Sequence, residues 1–279
     1  MKRYSIRRNR LKEKIATGER IFGALLDTPS PEIVEMLGLL GFDYVTLEGQ
    51  HGAYDDSLYL SLIRAAEIHD MTPVVRVTSI VPDQICRLLD LGLQGVSADV
   101  ETAEEALALV RAAKYPPEGR RGFGRFSRGN RYGLVEESDA IRDGNAAVYL
   151  TVSVDTLEGV DNLPAILRVE GLDGVSCGLT SDLVASAGIP GQYDHPRVKE
   201  LERQVGDAFE AAGKPRPRWR NPFLAVPPDA RRVFLGTNMF VLQHLVDFVA
   251  QWPERRDLAD LPSLVRWGGP APVRVRVDD

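Results

Sequence analysis

The chain has 279 residues, a formal net charge of -6, and 44% hydrophobic against 27% charged side chains. That balance belongs to a soluble globular protein long enough to bury a sizeable core, and it lacks the basic excess that a nucleic-acid partner requires. No apolar run reaches membrane-spanning length, the basic start leads into no signal-type apolar region, and Cys86 and Cys177 read as buried thiols of a reducing compartment; a cytoplasmic protein is expected.

Residues 6–17 form a basic amphipathic pattern closed by Gly18. An apolar strand follows at 21–26, then a helix that opens at Pro31, carries Ile33, Val34, Leu37 and Leu40, and stops at Gly41. Tyr44, Val45 and Leu47 begin a second strand, which breaks into Glu48-Gly-Gln-His-Gly52. A helix is expected at 58–69, a strand at 73–77 with Arg76 at its end, a helix at 82–91, a strand at 95–100 and a helix at 103–113. A glycine- and arginine-rich loop then runs from 115 to 132. Strands at 148–154 and 174–178 flank a helix at 160–167, and 198–212 is helical by spacing. The segment after Gly213 is proline-rich and hostile to a central strand, leaving 223–226 as the remnant of a seventh strand. Residues 233–235 make the last strand and 240–252 the last helix.

Strand and helix thus alternate close to eight times with short connections, which implies a parallel sheet covered by helices. The count and length favour a closed (β/α)8 TIM barrel over a doubly wound sheet. One domain is expected over residues 1–252, with an N-terminal helix, and a C-terminal extension over 253–279.

In such a barrel the carboxyl ends of the strands carry the chemistry. Here those ends hold Asp27, Glu48 with His51, Arg76, Asp99 with Glu101, Asp155 with Glu158, Asp182 and Asn238. Asp27 and Glu101 read as helix N-caps, whereas Asp155 is followed by Thr156, which can cap in its place. Two carboxylates on consecutive strands, Asp155 and Asp182, make with water a hard-oxygen site suited to magnesium or manganese. His51 exchanges a proton near neutral pH, or else only closes a turn. Arg76 needs an anion, either a ligand or Glu48. Asp90 opposes the dipole at the end of its helix and so calls for a cationic partner, for which an imidazolium is one candidate. The arginine-rich loop reads equally as a solvated lid, a subunit contact or an anion clamp.

The chain resembles the HpcH/HpaI-type class II pyruvate aldolases, of the dihydroxyheptenedioate and dehydrodeoxyglucarate aldolase kind. The likeness runs from about Phe22 to Trp252 and rests on Gly-Phe-Asp-Tyr-Val…Glu-Gly-Gln-His-Gly, Pro-Val-Val-Arg, Leu-Leu-Asp-Leu-Gly, Thr-Ala-Glu-Glu-Ala, Tyr-Pro-Pro-Glu-Gly-Arg-Arg-Gly-Phe-Gly and Val-Glu-Gly-Leu-Asp-Gly-Val, in that order. The resemblance implies a TIM barrel and a lyase that handles a 2-oxo acid through a metal-bound enolate. It places the metal on Asp155 and Asp182, the proton-handling group on His51, its orienting carboxylate on Asp90, and the group beside the enolate oxygen on Arg76. Glu48, Gln50, Ser153 and Gly178 complete the expected substrate-facing set. It also implies a homo-oligomer, commonly a hexamer built from dimers that exchange their last helix. The chain departs from the family at several points. Gln50 replaces a glutamate, Asp155 shortens a metal-binding glutamate, a proline is missing around Asp99, the loop before Asp182 is one residue longer, and Asn238 replaces an aspartate. Those departures leave two further readings beside the aldolase. One is a condensing or cyclising enzyme using the same enolate, and the other is a barrel that binds a ligand without catalysis.

Overall fold

The computed structural model describes residues 4–216 and 232–249. Seven parallel strands, β1 (Ile21–Leu26), β2 (Tyr44–Glu48), β3 (Thr72–Arg76), β4 (Gly95–Asp99), β5 (Tyr149–Val154), β6 (Gly174–Cys177) and β7 (Arg232–Gly236), lie in the order β6-β5-β4-β3-β2-β1-β7. Ten helices accompany them among the described residues: α1 (Arg10–Thr17), α2 (Pro31–Leu39), α3 (Asp56–Ile68), α4 (Pro82–Leu91), α5 (Ala103–Ala113), α6 (Glu137–Ala147), α7 (Leu157–Ile166), α8 (Ser181–Ser186), α9 (Pro196–Ala211) and α10 (Thr237–Val249). None is long and apolar enough to cross a membrane.

The two faces of the sheet differ, as the period of two along each strand requires. Ala24, Leu26, Val45, Leu47, Val75, Val96, Leu150, Val152 and Val154 point outward into one core with the helices. The inner face is apolar only at its amino end, where Val74 and Tyr149 meet Ile21 and Leu11 of α1. Helix α1 closes that end. Asn9 caps it by accepting from Lys12 N at 3.2 Å and donates to the Gln94 and Ala147 carbonyls at 2.9 and 2.7 Å. The fully buried Asp43 takes Lys14 at 2.8 Å and Arg10 at 3.3 Å. The helix begins at Arg10 rather than Ile6 because the Asn9 cap sets its start.

The sheet is an open, curled α/β arrangement of seven strands, not a demonstrated eight-stranded barrel. The seventh strand expected at 223–226 and the extension expected at 253–279 lie outside the described residues, and the ladder ends at β6 and β7. The curl is pronounced, since Arg232 on one edge strand hydrogen-bonds Tyr149 on β5.

Helix caps depart from the acidic strand ends. Ser30 caps α2 and Thr102 caps α5 through a capping box with Glu105. Asp27 instead accepts from Asn238 N at 3.2 Å, joining β1 to the start of α10. Thr156 does cap α7, which frees Asp155. The loop after α5 is tied down on the protein. Arg121 lies 4.5 Å over the Tyr115 ring, Asn130 donates to the Tyr115 hydroxyl at 3.0 Å, and Arg128 holds both Glu67 and the Leu91 carbonyl. Gly92, at φ 110°, ends α4, and a Cβ there would collide with the Arg128 guanidinium.

Candidate active site

Register sets which side chains share the inner face. Glu48 pairs with Arg76, Arg76 with Ser97, Ser97 with Thr151, and one step further along Asp99 pairs with Ser153 and Ser153 with Ser176. In a parallel ladder paired residues point the same way, so the carboxyl end of the inner face is polar from β2 to β6.

Arg76 sits at its centre. Its NH2 lies 2.9 and 2.8 Å from the two Asp99 oxygens, and its Nε lies 3.3 Å from Asp99 Oδ1. Its NH1 stands 3.5 Å from Glu48 Oε2, and NH2 stands 3.8 Å from Asp155 Oδ2. Burial alone would lower the guanidinium's pKa, but Asp99, Glu48 and Asp155 outweigh it and raise it. The structural partner expected for Arg76 was Glu48; the tight partner is Asp99.

Glu48, only 4% exposed, ends β2 and accepts from Gln50 N at 3.0 Å and His51 N at 3.3 Å, so it shapes the turn it leads into. Gly49 lets that turn pass close to β3, since a Cβ there would stand 2.8 Å from the Arg76 carbonyl. Gln50 donates to Asp99 Oδ2 at 2.8 Å. The His51 imidazole is exposed at the same mouth and makes no hydrogen bond or ion pair among the described residues. Ser153 and Ser176 share a hydroxyl contact of 2.8 Å. Gly178 lies just past β6, its carbonyl accepting from Thr180 N at 2.9 Å.

Asp155 follows β5 with its side chain 13% exposed. Burial, then the Asp99 and Asp182 carboxylates, push its carboxyl up to about 6, against the Thr180 hydroxyl and Arg76, which favour the charged form. Asp182 is exposed in the first turn of α8. Excess negative charge held partly out of water is what a hard divalent cation would neutralise. Asp155, Asp182 and the Thr180 hydroxyl therefore fit such an ion in donor chemistry. No three acid, imidazole or thiol groups among the described residues stand close enough to hold a metal by themselves, so an ion here would need water or substrate for its remaining positions.

Asp90 is not brought to this site. Helix α4 runs back from the mouth, and Asp90, near its end, lies by Gln94 at the end closed by α1, whereas His51 follows β2 at the opposite end. The cationic partner that the helix dipole called for is Arg121, 2.6 Å away. Asp99 was named among the strand ends but given no role. Its neighbours Arg76 and Gln50 come from the end of β3 and from the turn after β2, and only the register shows their meeting.

The sequence profile of the HpcH/HpaI aldolase/citrate lyase family matches residues 22–215. The 5-keto-4-deoxy-D-glucarate aldolase of Shigella dysenteriae is 36% identical over 235 residues, covering 84% of this chain and 89% of its own. An HpcH/HpaI aldolase/citrate lyase family protein of Burkholderia cenocepacia superposes with a TM-score of 0.76 at 27% identity, over 87% of this chain and 98% of that one. Citrate synthase SbnG superposes with a TM-score of 0.75 at 26% identity, over 90% and 100%.

Proposed function

The chain belongs to the HpcH/HpaI aldolase/citrate lyase family and is an aldolase-type lyase that cleaves carbon–carbon bonds, and on that premise we propose that it acts on a 4-hydroxy-2-oxo acid through a pyruvate-type enolate, with a divalent metal. The supporting observation is Arg76 beside Asp155 at the carboxyl end of the sheet, with the Asp155 carboxyl displaced upward by burial and neighbouring acids.

Asp155 and Asp182 would hold the metal, magnesium or manganese, with water and the 2-oxo acid. A bound divalent cation polarises a carbonyl oxygen and steadies the charge that gathers on it. Arg76 faces that charge from a fixed position, so little reorganisation is needed as it develops. His51 takes the proton of the substrate hydroxyl during cleavage and returns it during addition, directly or through water. Glu48 fixes the turn that carries His51. Gln50, Ser153 and the Gly178 backbone supply polar contacts for the substrate, while Asp90 acts on stability through Arg121. The curled sheet is proposed to be a (β/α)8 barrel, supported by the contact between Arg232 and Tyr149.

The proposal is tested by pyruvate release from a 4-hydroxy-2-oxo acid with magnesium or manganese and then with chelator. Release that depends on the metal supports it, and equal release with chelator contradicts it. A second reading, condensation of the same enolate with another electrophile, is favoured by the likeness to citrate synthase SbnG and by the altered Gln50 and the proline missing around Asp99. We further propose a cytoplasmic homo-oligomer, a hexamer or a dimer-based assembly. Phe240, Val241, Leu242, Leu245 and Phe248 expose apolar surface on α10, and such a patch is usually covered by a partner. Sedimentation at the monomer mass would contradict this assembly.

A further inference from the structure

The arginine-rich loop after α5 has no part in the lyase chemistry. It borders a cavity of about 690 Å³ at the amino end of the sheet, where Leu93 and Gln94 lead into β4 and Val148 leads into β5. The residues assigned to the chemistry lie at the opposite ends of the strands, and none of them lines this cavity. Arg7, Arg64, Arg121, Arg128 and Arg131 do line it. Glu67 takes Arg7 and Arg128, Asp70 lies 3.7 Å from Arg7, and Asp90 takes Arg121. Arg64 and Arg131 meet no carboxylate among the described residues, so two of the five guanidiniums stand without a counter-charge. Burial lowers the pKa of Arg7, and Arg131 and Arg128 lower it further against the pull of Glu67 and Asp70.

Two buried atoms in the lining are also without partners among the described residues. Arg121 and Gln94 are each 8% exposed. Arg121 gives NH2 to Asp90 at 2.6 Å, while its Nε donor meets no acceptor. The Gln94 amide nitrogen donates to the Arg7 and Arg8 carbonyls at 3.4 and 2.8 Å, and its Oε1 meets no donor. A buried polar atom left unpaired is costly, so each of these calls for a partner. An acceptor for Nε and a donor for Oε1 together describe an anion that also carries hydroxyl groups. At the rim, Arg131 and Tyr132 hold φ at 55° and 56°, a left-handed conformation that non-glycine residues rarely adopt. Backbone strain of this kind clusters at ligand clamps.

We propose that this cavity is a second binding site, separate from the lyase site, for a phosphomonoester that bears hydroxyl groups and has the size of a sugar phosphate or a mononucleotide. A phosphate dianion matches the two guanidiniums left without a counter-charge, and the planar arginine fork suits phosphate oxygens. Arg121 Nε donates to the phosphate, and a ligand hydroxyl donates to Gln94 Oε1. Tyr4 and Tyr132, half-exposed or more in the lining, offer ring faces to a sugar or a base. The volume falls in the range of small-molecule pockets. No bond is made or broken here, so the site stands whether or not the lyase reading does.

The test is calorimetry on the full chain with ribose 5-phosphate, AMP, methyl phosphate and inorganic phosphate. EDTA is present throughout, so that no oxyanion is held by a metal at the other end of the sheet. Ribose 5-phosphate or AMP is expected to bind once per chain with a Kd below about 1 mM, and the tighter of the two tells a sugar source from a nucleotide one. Methyl phosphate keeps the charge but has no hydroxyl donor, and it should bind about tenfold more weakly. Arg64→Ala and Arg131→Ala alter exposed side chains and should each weaken binding of the tighter ester about tenfold. Arg203→Ala, on α9 and already held by Glu200 and Asp207, should leave it unchanged. Added salt should weaken binding in wild type, since the rim charges are exposed to screening. No binding of either hydroxylated ester at millimolar concentration overturns the inference. Equal affinity for methyl phosphate and inorganic phosphate as for the hydroxylated esters means an adventitious ion only, and overturns it too. So does an affinity unmoved in both Arg64→Ala and Arg131→Ala, or an equal loss in Arg203→Ala, which would reflect the net charge of the chain alone.

Discussion

Replacing Asp155 by Asn should make the metal-free protein more stable near neutral pH while abolishing its activity. Burial, reinforced by Asp99 and Asp182, raises this carboxyl from 3.8 to about 6. A carboxyl whose pKa rises on folding binds its proton more tightly in the folded chain. It is therefore neutral in both states below about pH 4, opposes folding increasingly up to about pH 6, and opposes it fully above that. A displacement of about two units corresponds to about 3 kcal/mol. Asn keeps the shape and the acceptor for Thr180 but brings no charge to bury. Urea denaturation in EDTA should place the variant about 2–3 kcal/mol above wild type at about pH 8, with the gap closing toward about pH 4. Manganese at about a hundred times its Kd should then add about 2.7 kcal/mol to wild type and nothing to the variant. A variant less stable than wild type at the higher pH without metal, or a gap that ignores pH, would refute the reasoning.

Asp182→Ala should remove both metal binding and turnover without unfolding the chain, because the side chain is exposed; unchanged manganese affinity by calorimetry would remove Asp182 from the site. His51→Ala should lower cleavage of a 4-hydroxy-2-oxo acid about a hundred- to ten-thousand-fold, the usual worth of a positioned acid or base, and leave metal content unchanged. Wild-type turnover in that variant would transfer the proton to another group. Asp90→Asn should lower stability by about 2 kcal/mol, because it leaves the buried Arg121 without a full counter-charge, and should spare turnover. A large rate loss at unchanged stability would put Asp90 beside His51 of another copy.

Much of the fold was legible because strand and helix announce themselves by period. The described strands fall within a residue or two of their expected positions at each end, as do helices α2, α3, α4, α5 and α9. Helix α6 escaped because Glu137–Ala147 is polar and broken by Gly144; only Ala140 and Asn145 are buried, so it has no apolar stripe to read. Helix α8 escaped because six residues hold less than two turns. At the site, the sequence located Glu48, Arg76 and Asp155 through their places at strand ends. Asp90 shows the limit of local reasoning. The opposed dipole correctly called for a cation, but the cation stands in a loop 31 residues further on, and which end of the sheet a helix terminus reaches is a property of topology. Asp99 shows the same limit from the other side, because its contacts with Arg76 and Gln50 exist only once three strands are in register.

The most direct test of the central claim, an enolate formed at Arg76 with a divalent metal on Asp155 and Asp182, is exchange of the pyruvate methyl protons in heavy water, followed by proton NMR. Exchange is expected with magnesium or manganese, and it should cease with chelator, in Asp155→Asn and in Asp182→Ala. It should also fall steeply in a folded Arg76→Ala. Exchange that continues unchanged in chelator, or in the folded Asp182→Ala and Arg76→Ala proteins, would contradict the account.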